Sequence, residues 1–175
     1  KGGNITVNSV GDGLKSDNSE EENRGYVSIE DGTIKVTSTK GDAISAQTDL
    51  LVTGGTFTLT SGGGSNVRPD DNVSTKGLKA GVFVIIDDGD FSISSSDENN
   101  GTLSSRDNLS IFGNGSLTVY GNDNDAIRSN DGLIIKSGNI KVTSVDDGIR
   151  GKDYLVIKGG NITVNSVGDG LKSDN

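Results

Sequence analysis

Aspartates recur in one sequence context along this 175-residue chain, two positions before an aliphatic residue. The context reads GDGL, GDAI, NDAI, DDGI and again GDGL, and its aspartates are Asp12, Asp42, Asp125, Asp147 and Asp169. Carboxylate oxygens are preferred ligands of Ca²⁺. Carboxylates stacked about 4.8 Å apart, the spacing of neighbouring β-strands, would repel one another without a cation between them. The pattern therefore predicts a column of Ca²⁺ ligands.

A simpler explanation of these aspartates stays open, because Asp favours tight turns by bonding its own backbone. Two repeats also interrupt the column, with Lys76 and Gly101 at the equivalent positions. A second acidic set falls at the following turn, where the turn preference is the more economical explanation. We retain it as a set of secondary acidic turn sites, which comprises Asp107, Asp131 and Asp153.

Basic side chains occur one position after the same aliphatic residue. They are Lys15, Lys79, Arg128 and Arg150. Strand alternation turns this position outward, and an arginine fork binds carboxylates with two parallel hydrogen bonds. Together with Ca²⁺, these cations would suit an acidic polysaccharide lying along the stack. The alternative is that they neutralise the neighbouring aspartates.

The apolar residues predict the fold that would position these side chains. Six units of 22 to 34 residues run from Asn4 to Gly160, and five positions in each unit are always apolar. One of these columns is Leu14, Ile44, Leu78, Leu103, Ile127 and Ile149. Stacked repeats of this length bury such columns as a continuous core. We therefore predict an all-β, right-handed parallel β-helix with three short strands per coil and almost no α-helix.

The same 18 residues occur at both ends, at 1–18 and 158–175. We expect residues 1–175 to form a single solenoid, with 1–157 as one repeat unit and 158–175 as the start of the next identical repeat. An alternative is that the duplicated end is not natural. Longer units carry their extra residues at turns, which predicts insertions at 19–25 and 61–75.

Composition excludes several classes of function. The chain has no Cys, His, Met or Trp, which excludes thiol nucleophiles, Ser-His-Asp triads, zinc fingers and disulfides. A formal net charge of -9 argues against nucleic-acid binding. The sequence has no apolar run long enough to span a bilayer, so we expect no membrane insertion within this segment.

An apolar stripe is predicted on the outside of the third strand of the coil. Its members are Leu51, Ile85, Ile134 and Val156, flanked by Phe83 and Tyr154. Because exposed apolar stripes mark partner surfaces, we predict lateral packing between neighbouring solenoids. The alternative is that the insertion at 61–75 covers part of the stripe.

The recurring text D-[GA]-[IL]-[KR]-[SG], followed by L-x-I-x-G-G-x-[IF]-x-[VIL], resembles a family of bacterial carbohydrate-binding β-helix domains. This family, first known from clostridia, is structurally related to pectate lyases. The resemblance covers nearly the whole chain and is weakest in the third and fourth units. It implies an extracellular β-helix that binds Ca²⁺ and acidic polysaccharides such as polygalacturonate. The family's aspartates carry over to Asp12, Asp42, Asp125 and Asp147.

The sequence as a whole predicts an extracellular or cell-surface structural protein. We expect a Ca²⁺-stabilised solenoid fibre or array, built from further copies of itself, that can bind acidic polysaccharide. One alternative is a stand-alone module that binds polygalacturonate-like glycans, and a second is a pectate-lyase-like enzyme with Arg128 or Arg150 as the base. We expect no enzymatic activity, because every candidate residue belongs to a repeating column and not to a unique constellation.

Overall fold

The structure, a computed structural model, describes residues 2–21, 23–67, 73–96, 101–122 and 124–175. These residues form twenty short β-strands and no helix. Within these ranges, no helix is long and apolar enough to cross a membrane. The strands pair in parallel and stack regularly, which confirms the predicted parallel β-helix.

Three sheets run along the solenoid, and each takes one strand from each of coils 1 to 6; sheets A and B take a further strand each from coil 7. Sheet A contains β1 (Asn4–Ser9), β4 (Thr33–Ser38), β7 (Thr56–Ser61), β10 (Asp90–Ser95), β13 (Ser116–Gly121), β16 (Asn139–Ser144) and β19 (Asn161–Ser166). Sheet B contains β2 (Leu14–Ser16), β5 (Ile44–Ala46), β8 (Leu78–Ala80), β11 (Leu103–Ser105), β14 (Ile127–Ser129), β17 (Ile149–Gly151) and β20 (Leu171–Ser173). Sheet C contains β3 (Val27–Ile29), β6 (Leu50–Val52), β9 (Val84–Ile86), β12 (Leu109–Ile111), β15 (Gly132–Ile135) and β18 (Tyr154–Ile157). Coil 1 is β1 to β3, and coil 7 consists of β19 and β20.

Equivalent residues of successive coils lie directly beside one another. In sheet B, for example, Leu14 pairs with Ile44 and Ile44 pairs with Leu78. All five apolar columns predicted from the sequence are found in this register. Like side chains therefore stack on like, and in the middle coils they form one continuous buried core. Within it, the rings of Phe57 and Phe91 stack with their centroids 4.3 Å apart.

Strand alternation places the predicted apolar stripe on the outside of sheet C. In β6, Leu50 and Val52 are fully buried, whereas Leu51 between them is half-buried. The central outward residues of the other strands of the stripe behave in the same way: Ile85, Ile134 and Val156. Lateral packing through this stripe remains a prediction.

A glycine at the turn between sheets C and A is required by backbone geometry. Gly55 has φ of +109°, in the region that side-chain-bearing residues rarely adopt. A Cβ atom on Gly55 would also lie 2.8 Å from the carbonyl oxygen of Gly32 in the preceding coil. The same close approach to the preceding coil is found at the equivalent glycines Gly32 and Gly160.

The insertion predicted at 61–75 lies partly outside the described residues, which include 61–67 and 73–75. Its described part packs beside sheet A. The backbone N–H of Ser65 donates to Oγ of Ser94 at 2.8 Å, and the amide of Asn122 donates to the carbonyl oxygen of Val67 at 2.9 Å. These contacts tie coil 3 to coils 4 and 5 on the sheet-A side and not over the apolar stripe of sheet C.

The strands of coil 7 stack on coil 6. They have the same sequences as β1 and β2, and they pair in register with β16 and β17 of coil 6. Ile162 lies beside Ile140, just as Ile5 lies beside Ile34 at the other end. A segment identical to the first two strands of coil 1 therefore stacks on coil 6 without any change in strand register.

Candidate functional site

The aspartate column lies at the turn between sheets A and B, where its carboxylates bond the backbone of the next coil. Oδ1 of Asp12 accepts the N–H of Asp42 at 2.8 Å, and Oδ1 of Asp42 accepts the N–H of Lys76 at 2.8 Å. Oδ1 of Asp147 accepts the N–H of Asp169 at 2.9 Å. These bonds satisfy backbone donors at a turn, so much of the column has a structural role.

The basic column of sheet B lies beside the aspartates, and its lysines pair with them. The pairs, measured from Nζ to Oδ2, are Lys15 with Asp12 (3.3 Å), Lys79 with Asp42 (3.1 Å) and Lys172 with Asp147 (2.9 Å). The hydrogen bond to Asp147 raises the pKa of Lys172. This arrangement matches the alternative in which the cations neutralise the aspartates. In coils 5 and 6 the basic residues are arginines instead of lysines.

In coils 5 and 6 two arginines converge on one carboxylate. Nη1 of Arg150 lies 3.5 Å from Oδ2 of Asp125, and Nη1 of Arg128 lies 3.9 Å from the same oxygen. Arg150 also donates from Nε to Asp174 at 3.2 Å and from Nη2 to the other oxygen of that carboxylate. Hydrogen bonding to Asp174 raises the pKa of Arg150 and lowers that of Asp174.

Asp125 is the least satisfied member of the aspartate column. Its side chain is fully buried, and among the described residues its Oδ1 has no hydrogen-bond partner. Burial, followed by the nearby charge of Asp147, raises the pKa of this carboxyl, while Arg150 and Arg128 act in the opposite sense. A buried carboxylate oxygen without a donor is costly unless a proton or a cation meets it.

Three carboxylates meet at this point. One ligand oxygen from each of Asp125, Asp146 and Asp147 lies within 4.8 Å of the others. Two oxygens that each lie about 2.4 Å from one Ca²⁺ are at most about 4.8 Å apart, so this spacing fits a shared calcium ion. Asp125 and Asp147 are buried, whereas Asp146 is exposed. The three residues could therefore hold a hard cation at the surface of the turn.

The predicted calcium column is thus divided by the structure. Asp125 and Asp147 join a group of three carboxylates. Asp147 also bonds a backbone N–H and a lysine, as Asp12 and Asp42 do. Asp169 lies 3.6 Å from Lys172, measured from Oδ2 to Nζ. The secondary acidic set stacks through its backbone, since the N–H of Asp131 donates to the carbonyl oxygen of Asp107 and that of Asp153 to Asp131.

The sequence analysis missed Asp146, because this residue lies one position before the repeating column. The signal that could have identified it is the doublet Asp146-Asp147, which occurs where the first two units have Gly-Asp and the fifth has Asn-Asp. The doublet adds a third carboxylate beside Asp125. Among the described residues, Asp125 is the aspartate with a buried, unpartnered oxygen.

Fold and site together define a parallel β-solenoid with a row of ion-paired side chains along one sheet. A family model described as "Carbohydrate-binding domain-containing protein" matches residues 1–99 and 94–175, which together cover the chain. The chain therefore belongs to this carbohydrate-binding domain family. No curated protein and no solved structure matches the chain. Family membership supports carbohydrate binding, and the family description specifies no particular glycan.

Proposed function

We propose that this chain binds acidic polysaccharide with the help of Ca²⁺ held by Asp125, Asp146 and Asp147. The observation that carries the proposal is the buried Oδ1 of Asp125, which has no hydrogen-bond partner among the described residues and belongs to a side chain beside two further carboxylates. Ca²⁺ takes six to eight oxygen ligands, so a calcium ion held by three carboxylates would offer positions to water or to the carboxylate of a uronate sugar. The exposed Asp146 marks the side from which a ligand would approach.

The basic column supplies the contacts that would orient the polysaccharide. Arg128, Arg150 and Lys172 lie in register on β14, β17 and β20, so the sheet presents one cation per coil in coils 5 to 7. A linear polyuronate presents one carboxylate per sugar along its length. Charge-assisted hydrogen bonds from an arginine fork give such contacts strength and direction.

The proposal is tested by the retention of polygalacturonate on the immobilised chain. We expect retention in Ca²⁺ and its loss in EDTA, while neutral dextran serves as the control for non-specific adsorption. Equal retention in Ca²⁺ and in EDTA would contradict the role of the cation. Absorbance of unsaturated uronate product, read in the same incubations, is expected to stay at the level without protein.

Binding without cleavage is part of this proposal, and the environment of the arginines supports it. A pectate-lyase-like reaction would need one of them as a base. Arg150 is held by Asp174 and Asp125, and its pKa is raised, which opposes loss of a proton. Arginine is in any case protonated in proteins. A rise in product absorbance that Arg150→Gln abolishes would establish the lyase instead.

We also propose that the solenoid acts as a repeating element of an extracellular or cell-surface fibre. The support is coil 7, in which a segment identical to the first two strands of coil 1 stacks on coil 6 in register. Weak calcium sites of extracellular modules operate at about 10⁻⁴–10⁻³ M Ca²⁺, which suits a site outside the cell. Lateral packing would use the outward stripe of sheet C.

Electron microscopy of the native material tests the fibre. We expect filaments that associate side by side, and we expect the double substitution of Ile134→Asn and Val156→Asn to separate them. The matched control is Thr118→Asn, at an outward position of β13 in sheet A. Isolated particles in the native material would contradict the fibre, and bundling unchanged by the double substitution would contradict the lateral interface.

A further inference from the structure

Hydrogen bonds and an ion pair hold the turn insertion of coil 1 in one conformation. Oδ1 of Asn18 accepts the N–H groups of Glu20 and Glu21 at 3.1 and 3.0 Å. Nε of Arg24 lies 2.9 Å from Oε2 of Glu21. Asn23 is the one non-glycine residue with positive φ in the described chain, at 61°. The turn therefore holds Asn23 and the following Tyr26 in defined positions.

This turn borders a cleft of about 320 Å³ on the outside of sheet C, between coils 1 and 2. Small-molecule sites in proteins span about 300–1,000 Å³, so the cleft has room for one sugar ring. Its walls combine an aromatic ring, aliphatic surface and polar groups, which come from Asn23, Tyr26, Thr48, Asp49 and Leu51 together with two residues of β3.

The polar groups of the cleft have unused hydrogen-bonding capacity. Oδ1 of Asp49 accepts the N–H of Phe83 at 3.2 Å, but in the described part of the chain its Oδ2 has no hydrogen-bond partner. Within the same part, the amide of Asn23 also makes no side-chain hydrogen bond. The hydroxyl of Thr48 donates to the carbonyl oxygen of Arg24 at 3.0 Å and can still accept. Together they offer donors and acceptors for neighbouring hydroxyl groups.

Tyr26 provides the apolar surface that a sugar ring needs on one face. Its side chain is 57% exposed. The tyrosine at the equivalent position of coil 6 is used differently. The ring of Tyr154 packs against Gly132, and its hydroxyl donates to Oδ1 of Asn108 at 3.0 Å. The ring of Tyr26 instead lines the cleft together with Asp49 and Leu51 of the following coil.

We propose that this cleft is a subsite for a neutral pyranose unit, with the ring stacked on Tyr26 and its hydroxyl groups bonded by Asp49 and Asn23. The carboxylate of Asp49 in the wall of the cleft disfavours an acidic sugar, which is why the ligand is assigned as neutral. The inference rests on the proposed carbohydrate-binding function. It concerns a different sheet from the calcium site and requires no metal.

Calorimetric titration in EDTA tests the subsite with three neutral probes: xylotetraose, cellotetraose and β-1,4-galactotetraose. We expect at least one of them to bind, and we expect Tyr26→Ala to weaken that binding at least tenfold. Tyr154→Ala is the matched control and is expected to leave the affinity unchanged. Far-ultraviolet circular dichroism of both variants establishes that the solenoid is intact.

Binding of none of the probes at millimolar concentration would overturn the subsite, as would equal affinity of the wild type and Tyr26→Ala. Loss of binding in Tyr154→Ala but not in Tyr26→Ala would overturn it as well. These results are distinguishable from failure of the proposed function, because polygalacturonate retention is measured in Ca²⁺ and depends on Asp125 and not on Tyr26.

Discussion

Addition of Ca²⁺ to the metal-free chain is expected to raise its Tm by about 5–10 °C. A ligand at 100 times its Kd stabilises the folded state by about 2.7 kcal/mol. In a chain of this size, 1 kcal/mol shifts Tm by about 2–4 °C. The physical source of the gain is the neutralisation of three carboxylates, of which Asp125 is fully buried with an unpartnered oxygen. Differential scanning calorimetry with and without Ca²⁺ measures the shift.

Two substitutions that each remove one negative charge distinguish the proposed calcium site from a general effect of charge. Asp125→Asn is expected to abolish the increase in Tm, because it removes the buried ligand of the proposed site. Asp153→Asn, in the secondary acidic set of coil 6, is expected to retain it. The same increase in Asp125→Asn as in the wild type would show that Ca²⁺ binds elsewhere, and no increase in the wild type would exclude a stabilising calcium ion.

The pH dependence of the calcium-induced increase in Tm follows from the raised pKa of Asp125. Between the ordinary Asp value of about 4 and this raised pKa, the folded chain binds more protons at this group than the unfolded chain does. Its contribution to the free energy of unfolding of the metal-free chain therefore decreases as the pH rises through that window. Protons compete with Ca²⁺ for the same carboxylate, so the calcium-induced increase in Tm is expected to shrink as the pH falls through it.

The second large effect is expected from Arg150→Gln, which should weaken polygalacturonate binding in Ca²⁺ by about 10- to 100-fold. Hydrogen bonds to charged groups contribute about 1.5–3 kcal/mol, which corresponds to that range. Lys141→Gln is the matched control, because it removes one positive charge from the same coil on an exposed position of sheet A. It is expected to change the affinity by less than about threefold through long-range electrostatics.

The same variant distinguishes the two roles of Arg150. Removing its charge leaves Asp125 less compensated, so the affinity for Ca²⁺ is expected to increase while that for polygalacturonate decreases. If Arg150 only neutralises Asp125, the first effect appears without the second. Isothermal titration of each variant with Ca²⁺, and then with polygalacturonate, separates these outcomes.

The fold could be predicted because its information is periodic. Columns such as Leu14, Ile44 and Leu78 recur in every coil, and burying them requires stacked parallel strands. The roles of the polar residues could not be predicted in the same way. Asp12 and Asp125 have the same sequence context, yet the first accepts a backbone N–H and the second has an unpartnered oxygen.

Residues that depart from the repeat are the hardest to recognise from the sequence. A search for columns passes over Asp146, because no other unit has an acidic residue at the equivalent position. It also treats Tyr26 and Tyr154 as equivalents. Their surroundings differ, because the ring of Tyr154 packs against Gly132, whereas Tyr26 lines a cleft with Asn23 and Asp49. Function in a solenoid is expected at such departures from regularity.

The most direct test of the calcium-dependent site is the affinity for Ca²⁺ measured with and without trigalacturonate. If both ligands share the site at Asp125, Asp146 and Asp147, each must increase the affinity for the other by the same factor. After correction for Ca²⁺ bound by the free trisaccharide, we expect the affinity for Ca²⁺ to increase about tenfold in the wild type, which corresponds to about 1.4 kcal/mol of coupling. We expect no increase in Asp146→Asn. An affinity for Ca²⁺ that trigalacturonate leaves unchanged in the wild type would contradict the account.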